Sequence, residues 1–233
     1  IPSNQIENWA RIQADRFANP VIRGFHTELE TVYEEKNMSL TKDFRKALEA
    51  MDGMLFPDHP YGTQTVLGTQ EHLKNPSITN IKNYQKTYYV PNNIAICLSG
   101  DFDPDEMVTV IEKYFGQMQP NKDLPEITLA TSSVIESPVE KDVYGLDAEN
   151  IMIGWKYPGA KSEDALVAEV AASVLYNGSA GLIDLNINQQ QKVLGAYGMS
   201  YGRPDAGEFI LMGNPKQGQT LEEVRDIMLE EVA

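Results

Sequence analysis

Apolar residues recur at three- and four-residue intervals through the first half of the chain, the period of a helix that hides one face. Ile6, Trp9, Ile12 and Phe17 predict a helix over about Asn4–Ala18, with Ser3 as its cap and Asn19-Pro20 as its end. Ile22, Phe25, Leu29, Val32 and Tyr33 predict a second over about Val21–Lys36. Phe44, Leu48, Met51 and Leu55 predict a third, from near Thr41 to just before Phe56-Pro57. Pro57–Thr63 reads as a loop, Thr69–Lys74 as a helical turn, and Ser77 as the cap of a helix running to about Tyr88. The apolar run Ile94–Ser99 predicts a strand buried on both faces. Asp103-Pro104-Asp105-Glu106 carries a cap, a proline at the first helical position and an acid after it, so a helix should run to Phe115.

The pattern then changes. Pro120, Asn121, Pro125 and small polar residues fill the stretch from Gln117 to about Ser133, which reads as a linker between two halves. Beyond it, Val134–Tyr144 and Asn150–Tyr157 read as strands and Glu163–Leu175 as a helix capped by Ser162. Another helix should cover about Gly181–Val193, followed by strands Ala196–Tyr201 and Glu208–Met212. Thr220 and Glu223 form a capping box for a last helix. The expected fold is α+β, with helices packed on mainly antiparallel sheets. The chain opens at Ile1-Pro2-Ser3 without an initiator Met and stops within a helical pattern, so a fragment of a longer protein is expected. Ile6–Ile12 and Leu221–Ile227 echo one another, which suggests a duplicated architecture.

Charge narrows the function. A net charge of −15 opposes a nucleic-acid partner, which needs a basic footprint, and disfavours anionic membrane surfaces. It suits solubility and admits basic peptides as substrates. No run reaches the roughly 18 apolar residues of a membrane span. The lone cysteine, Cys97, excludes an internal disulfide and, inside an apolar run, reads as a buried inert thiol. The three histidines, His26, His59 and His72, include no His-x-x-x-His pair, so the chain does not carry a complete helical zinc site.

Candidate chemistry concentrates in the second helix, where Glu28, Glu30, Glu34 and Glu35 fall within eight consecutive positions. At about 100° per residue, Glu28 and Glu35 fall within about 20° of each other. Gly24 and Thr31 lie on the same stripe and would let another element approach closely. Glu30 and Glu34 belong to the opposite flank. Periodicity leaves two readings open. The acids are either the solvated sides of an amphipathic helix, or aligned carboxylates serving a divalent metal and holding its ligand in place.

The segment Glu28-Leu29-Glu30-Thr31-Val32-Tyr33-Glu34-Glu35 resembles the second zinc-ligand segment of the pitrilysin/insulinase family of inverted zinc peptidases, which includes mitochondrial-processing-peptidase-like proteins. His59-Pro60-Tyr61-Gly62, Leu67-Gly68-Thr69, Tyr88-Tyr89-Val90-Pro91-Asn92-Asn93 and Leu98-Ser99-Gly100-Asp101-Phe102 follow that family's order and spacing. The resemblance implies a metallopeptidase fold, with residues 1–122 the latter part of one family domain and 123–233 the early part of the next. It implies Glu35 as a zinc ligand and Glu28 as the supporting acid, with Glu34 the neighbour one residue out of register. It implies Zn2+ in the full-length protein and a peptide or unfolded-polypeptide substrate. The partner would be the remainder of the same polypeptide or a homologous subunit. The family's His-x-x-Glu-His segment, which supplies two ligands and the general base, does not occur here. The chain alone is therefore expected to be inactive and to lack tight zinc. A non-catalytic family member acting as a scaffold is the alternative.

Other groups carry less. His26 and Glu30, four apart, read as a surface pair, His59 as a turn residue and His72 as solvent-exposed. There is no Gly-x-Ser-x-Gly elbow. The glycines of Tyr197-Gly198-Met199-Ser200-Tyr201-Gly202 read as bends in strands rather than a phosphate loop.

Overall fold

The computed structural model describes residues 1–126 and 132–233, and the fold is α+β. It forms two compact units, one from Ile1–Lys36 with residues 68–126 and the other from Asn37–Leu67 with residues 132–233.

The first unit is helical. A 3-10 turn, Ser3–Gln5, leads into α1, Ile6–Ala18. Ser3 does not cap it: the turn closes through Gln5 N donating to the Pro2 carbonyl at 3.0 Å. Next comes α2, Phe25–Leu40, which reaches the unit boundary. It starts later than the apolar period suggested because Gly24 adopts φ +62°, a left-handed conformation that breaks the helical path. The short α5, Gln70–Lys74, is capped by Thr69, and α6, Ile78–Tyr88, by Ser77. Asp103 caps α7, Pro104–Phe115, accepting from the amides of Asp105 and Glu106. Helices α1 and α7 pack together, with Ala10, Ala14 and Met107 buried and Glu7 accepting from Lys113 and from Tyr114 Oη.

The second unit is built on a three-stranded antiparallel sheet of order β1-β3-β2. Its strands are β1 (Ile151–Pro158), β2 (Gly195–Gly202) and β3 (Ala206–Asn214). Central β3 pairs Trp155 with Phe209 on one side and Gly198 with Leu211 on the other. One face carries α8 (Glu163–Leu175), a π-helical segment (Asp184–Asn188) and α9 (Leu221–Val232). Ile183, Ile187, Leu211, Val224 and Met228 are closed from solvent there. Burying side chains of this size contributes roughly 1.5–3 kcal/mol each. The other face carries α3 (Asp43–Leu55), whose Met51 and Leu55 meet Ile210 beside Phe56.

Several expectations are corrected. Ile94–Ser99 forms no strand, and Cys97 is exposed rather than buried. A strand needs a partner to satisfy its amides and carbonyls, and among the described residues none pairs with this run. Val134–Tyr144 is likewise irregular, with Val134 and Tyr144 exposed. The expected helix Gly181–Val193 shrinks to a short helical and π-helical piece. Asn188 diverts its side chain to both backbone groups of Ala196 at 2.8 Å each, and Gln191 reverses to φ +53°. Residues 127–131 of the expected linker lie outside the described residues. The neighbouring Ser132 accepts from Lys156 Nζ at 2.8 Å, and Ser133 donates to Asp58. The echoing helices α1 and α9 differ in setting: α1 lies on a helix, α9 on the sheet.

Candidate functional site

On α2 the carbonyl of Gly24 accepts from Glu28 N at 3.0 Å, starting the helix one turn ahead of the first candidate acid. Thr31 turns its hydroxyl back onto the Thr27 carbonyl at 3.1 Å, a local bond that leaves no bulk on that side. Phe25, Leu29, Val32 and Tyr33 are half-buried, as their period requires. Glu28, Glu30, Glu34 and Glu35 are all exposed. Glu28 and Glu35 share one side of the helix, two turns and roughly 10 Å apart along its axis. That separation prevents both carboxylates from binding one ion directly, so at most one is a ligand and the other acts beside it. Among the described residues, no three His, Cys, Asp or Glu side chains gather as a metal site. Gly24 stands just before α2 rather than on its stripe, so the small-residue gap narrows to Thr31.

The histidines have structural settings. His59, expected in a loop, is 2 % exposed and caps a one-turn helix, α4 (Pro60–Thr63). Its Nδ1 accepts from Tyr61 N at 3.2 Å. Gly62 is packed against the end of α3, where an added Cβ would strike the carbonyls of Asp52 and Phe56. The His-Pro-Tyr-Gly run therefore closes a tight corner. His72 is exposed and completes the capping box of α5. In the Tyr-Tyr-Val-Pro-Asn-Asn run, Asn93 Nδ2 donates to the Tyr88 carbonyl at 2.9 Å. Asn92 exchanges two hydrogen bonds with the backbone of Asn121, at 2.8 and 3.0 Å.

Sequence reasoning missed a buried charge cluster in the second unit. Arg203, in the turn between β2 and β3, donates through Nη2 to Asp52 Oδ1 at 3.0 Å. The same nitrogen lies 3.3 Å from Glu208 Oε2, out of line for a hydrogen bond. The guanidinium stacks on Tyr61 at 4.3 Å and Phe56 at 4.9 Å. Tyr61 Oη donates to Asp205 Oδ2 at 2.9 Å. Glu208 is 2 % exposed, and burial, then the neighbouring Asp52 charge, push its carboxyl up to about 7 against the pull of Arg203. Alternation in β3 was the available signal, since it put Glu208 on the same face as Ile210 and Met212.

The missed Asp184 is also buried, with Oδ2 accepting from the amides of Asn177, Ser179 and Gly181 at 3.0–3.1 Å. It shapes the loop after α8.

Comparison with known proteins then bears on the family and the fold. The sequence profile of the family described as "Peptidase M16 inactive domain" matches residues 77–233. A zinc protease of Helicobacter pylori, PqqE, is 23% identical over 168 residues, 67% of this chain and 36% of that protein. The crystal structure of a protease from Helicobacter pylori superposes with a TM-score of 0.77 at 18% identity, covering 98% of this chain and 56% of that one. Pitrilysin superposes at 0.67 with 19% identity, covering all of this chain and 26% of its own. The chain thus spans little more than half, or less, of the length of these relatives.

Proposed function

Because the chain belongs to the M16 peptidase family, the pitrilysin/insulinase zinc proteases, we propose that it is part of a zinc-dependent metalloendopeptidase acting on peptides or unfolded polypeptide. In this reading Glu35 is the third protein ligand of the zinc, and Glu28 is the acid that supports it. Residues 1–122 and 123–233 belong to two successive family domains and form part of the wall of the substrate chamber. The observation that carries the reading is the pair of exposed carboxylates aligned on one side of α2, seven residues apart.

The donor set fits zinc as one part of a site. A carboxylate is an ordinary zinc ligand, but a tetrahedral site with an open position needs two more protein ligands. Those, and the general base, would come from a His-x-x-Glu-His segment in the remainder of the polypeptide or in a homologous subunit. When bound, zinc supplies a Lewis acid that polarises the scissile carbonyl and lowers the pKa of a water nucleophile. Glu35 contributes one anionic oxygen to hold the ion. Glu28, too far along the helix to share it, biases the local field and orients groups around the site.

The chain alone is expected to bind no stoichiometric zinc by metal analysis and to leave casein uncleaved. In the full-length protein, Glu35→Gln should lower zinc occupancy and activity by at least about tenfold, while Glu34→Gln should not. Equal effects at both positions would overturn the assignment.

The matching profile describes an inactive domain, which favours a second reading: a non-catalytic subunit that scaffolds a partner. An intact His-x-x-Glu-His in the full-length sequence supports the enzyme, and its loss the scaffold.

A further inference from the structure

Within the second unit, α3, α4 and the turn between β2 and β3 meet at a corner that buries Glu208. The strand fixes this residue: in central β3 it pairs with Lys156 of β1 on one side and Tyr201 of β2 on the other. Asp52 is fixed near the end of α3, whose Met51 and Leu55 are buried against the sheet. One guanidinium, that of Arg203, serves both carboxyls. It bonds Asp52 at 3.0 Å and only approaches Glu208, whose Oε2 is buried without a hydrogen-bond partner among the described residues. Lys156 shares the face of Glu208, but its ammonium donates to Ser132 Oγ and the Ser133 carbonyl. The other titratable groups at the corner are His59, with its ring 4.4 Å from that of Tyr61, and Asp205, bonded to the Tyr61 hydroxyl.

Neutral and ionised Glu208 make different demands on this arrangement. When neutral, its carboxyl can share a hydrogen bond with Asp52, and Arg203 balances the one remaining negative charge. When ionised, it sets two carboxylates against one cation, and a buried charge without its hydrogen bonds is costly. Burial, then the Asp52 charge, favour the neutral form up to a pH of about 7. The sheet cannot yield at Glu208, which is laddered on both sides. Tyr61 can. Its ring covers the guanidinium at 4.3 Å, and its hydroxyl donates to Asp205 Oδ2 at 2.9 Å and accepts from Asp205 N at 3.3 Å. It belongs to α4, a single helical turn. Parting α4 from the β2–β3 turn admits water to Glu208 for the loss of those few contacts.

We propose that this corner is a proton-operated latch: with Glu208 neutral, α4 lies shut against the β2–β3 turn, and ionisation of Glu208 favours a locally open form in which Tyr61 has left Asp205. No member of the corner belongs to α2, so the latch is independent of the zinc-site reading. The closed form holds the proton more tightly than the wetted one. Opening should therefore become about tenfold more frequent per pH unit from about 4.5 to about 7, and level off above that.

Hydrogen exchange on the full 233-residue chain, corrected for the intrinsic rate at each pH, tests the latch. The reporters are the amides of Gly62, Thr63 and Gln64, which donate to the His59 and Pro60 carbonyls. Their exchange should rise at least about tenfold between about pH 5 and about pH 7.5. It should not respond to low, sub-denaturing urea, because a local opening exposes little surface, whereas amides of α9 that exchange through global unfolding should accelerate. Glu208→Gln, neutral at every pH, should abolish the pH response. Tyr61→Phe, which removes both bonds to Asp205, should raise exchange of the same amides already at about pH 5. A pH response that survives Glu208→Gln would belong to another group, such as His59, and would overturn the proposal. Exchange that climbs with urea in step with α9 would also overturn it, because the corner would then open only with the whole unit. So would exchange in the parent chain that ignores pH, or indifference to Tyr61→Phe.

Discussion

The buried charges around Arg203 and the exposed charges of α2 are both acid-rich, yet they obey opposite rules. Asp52 and Glu208 face one partly buried guanidinium, and Glu208, closed from water, has its charge set by its neighbours and by the fold. Glu28 and Glu35 are exposed, where a charge is screened and little constrained by its neighbours. Residues that a structure needs and residues that it merely displays are thereby separated within one chain. Displayed acids at fixed spacing are the ones free to serve chemistry.

Substitutions should break or sharpen that contrast. The largest effect is expected at Arg203→Met, which leaves Asp52 and Glu208 facing each other without a cation. It should cost about 3–5 kcal/mol of unfolding free energy by denaturant titration at neutral pH. The pH dependence comes next. The native Glu208 carboxyl titrates near 7, against a usual value of 4.5, so the native state holds the proton more tightly than the unfolded chain. This contribution is fully present below about 4.5, declines as pH rises toward 7, and is lost above it. Thermal melts across that window should show the decline, and Glu208→Gln should flatten it. A smaller loss, about 1 kcal/mol, is expected for Asn92→Ala, which removes both bonds to Asn121. Smallest of all, Glu28→Gln and Glu35→Gln in this chain should stay within about 0.5 kcal/mol of the parent. A larger loss would make these acids structural and erase the contrast.

The sequence made local structure legible wherever a local rule governed it. Ser77, Asp103, Ser162 and Thr220 cap the helices they were expected to cap, since a cap depends on a few neighbouring residues. β1, β2 and β3 fall within a few residues of their expected bounds. Ile94–Ser99 and Val134–Tyr144 failed because composition reports a preference for burial, whereas a strand requires a partner that lies elsewhere in the chain. The loop expected over Pro57–Thr63 erred in the opposite sense: its prolines and glycine marked irregular chain, but Pro60–Thr63 winds into one helical turn that His59, the expected turn residue, caps, with Gly62 packed on the end of α3. In the candidate site, periodicity aligned Glu28 with Glu35, and only the family resemblance distinguished them from Glu30 and Glu34. The Arg203 cluster joins residues about 150 positions apart, and no spacing rule spans that distance.

The unladdered run Ile94–Ser99 has a consequence for handling the protein. It begins extended, with Ile94 at φ −124° and ψ 135°, and it is uncharged and free of proline between Ile94 and Ser99. Among the described residues these six form no backbone ladder, and such a run is a template for cross-β stacking. Concentrated solutions should lose material to fibrillar association through this run, and a lysine at Ile96, beside the exposed thiol, would act as a gatekeeper against it.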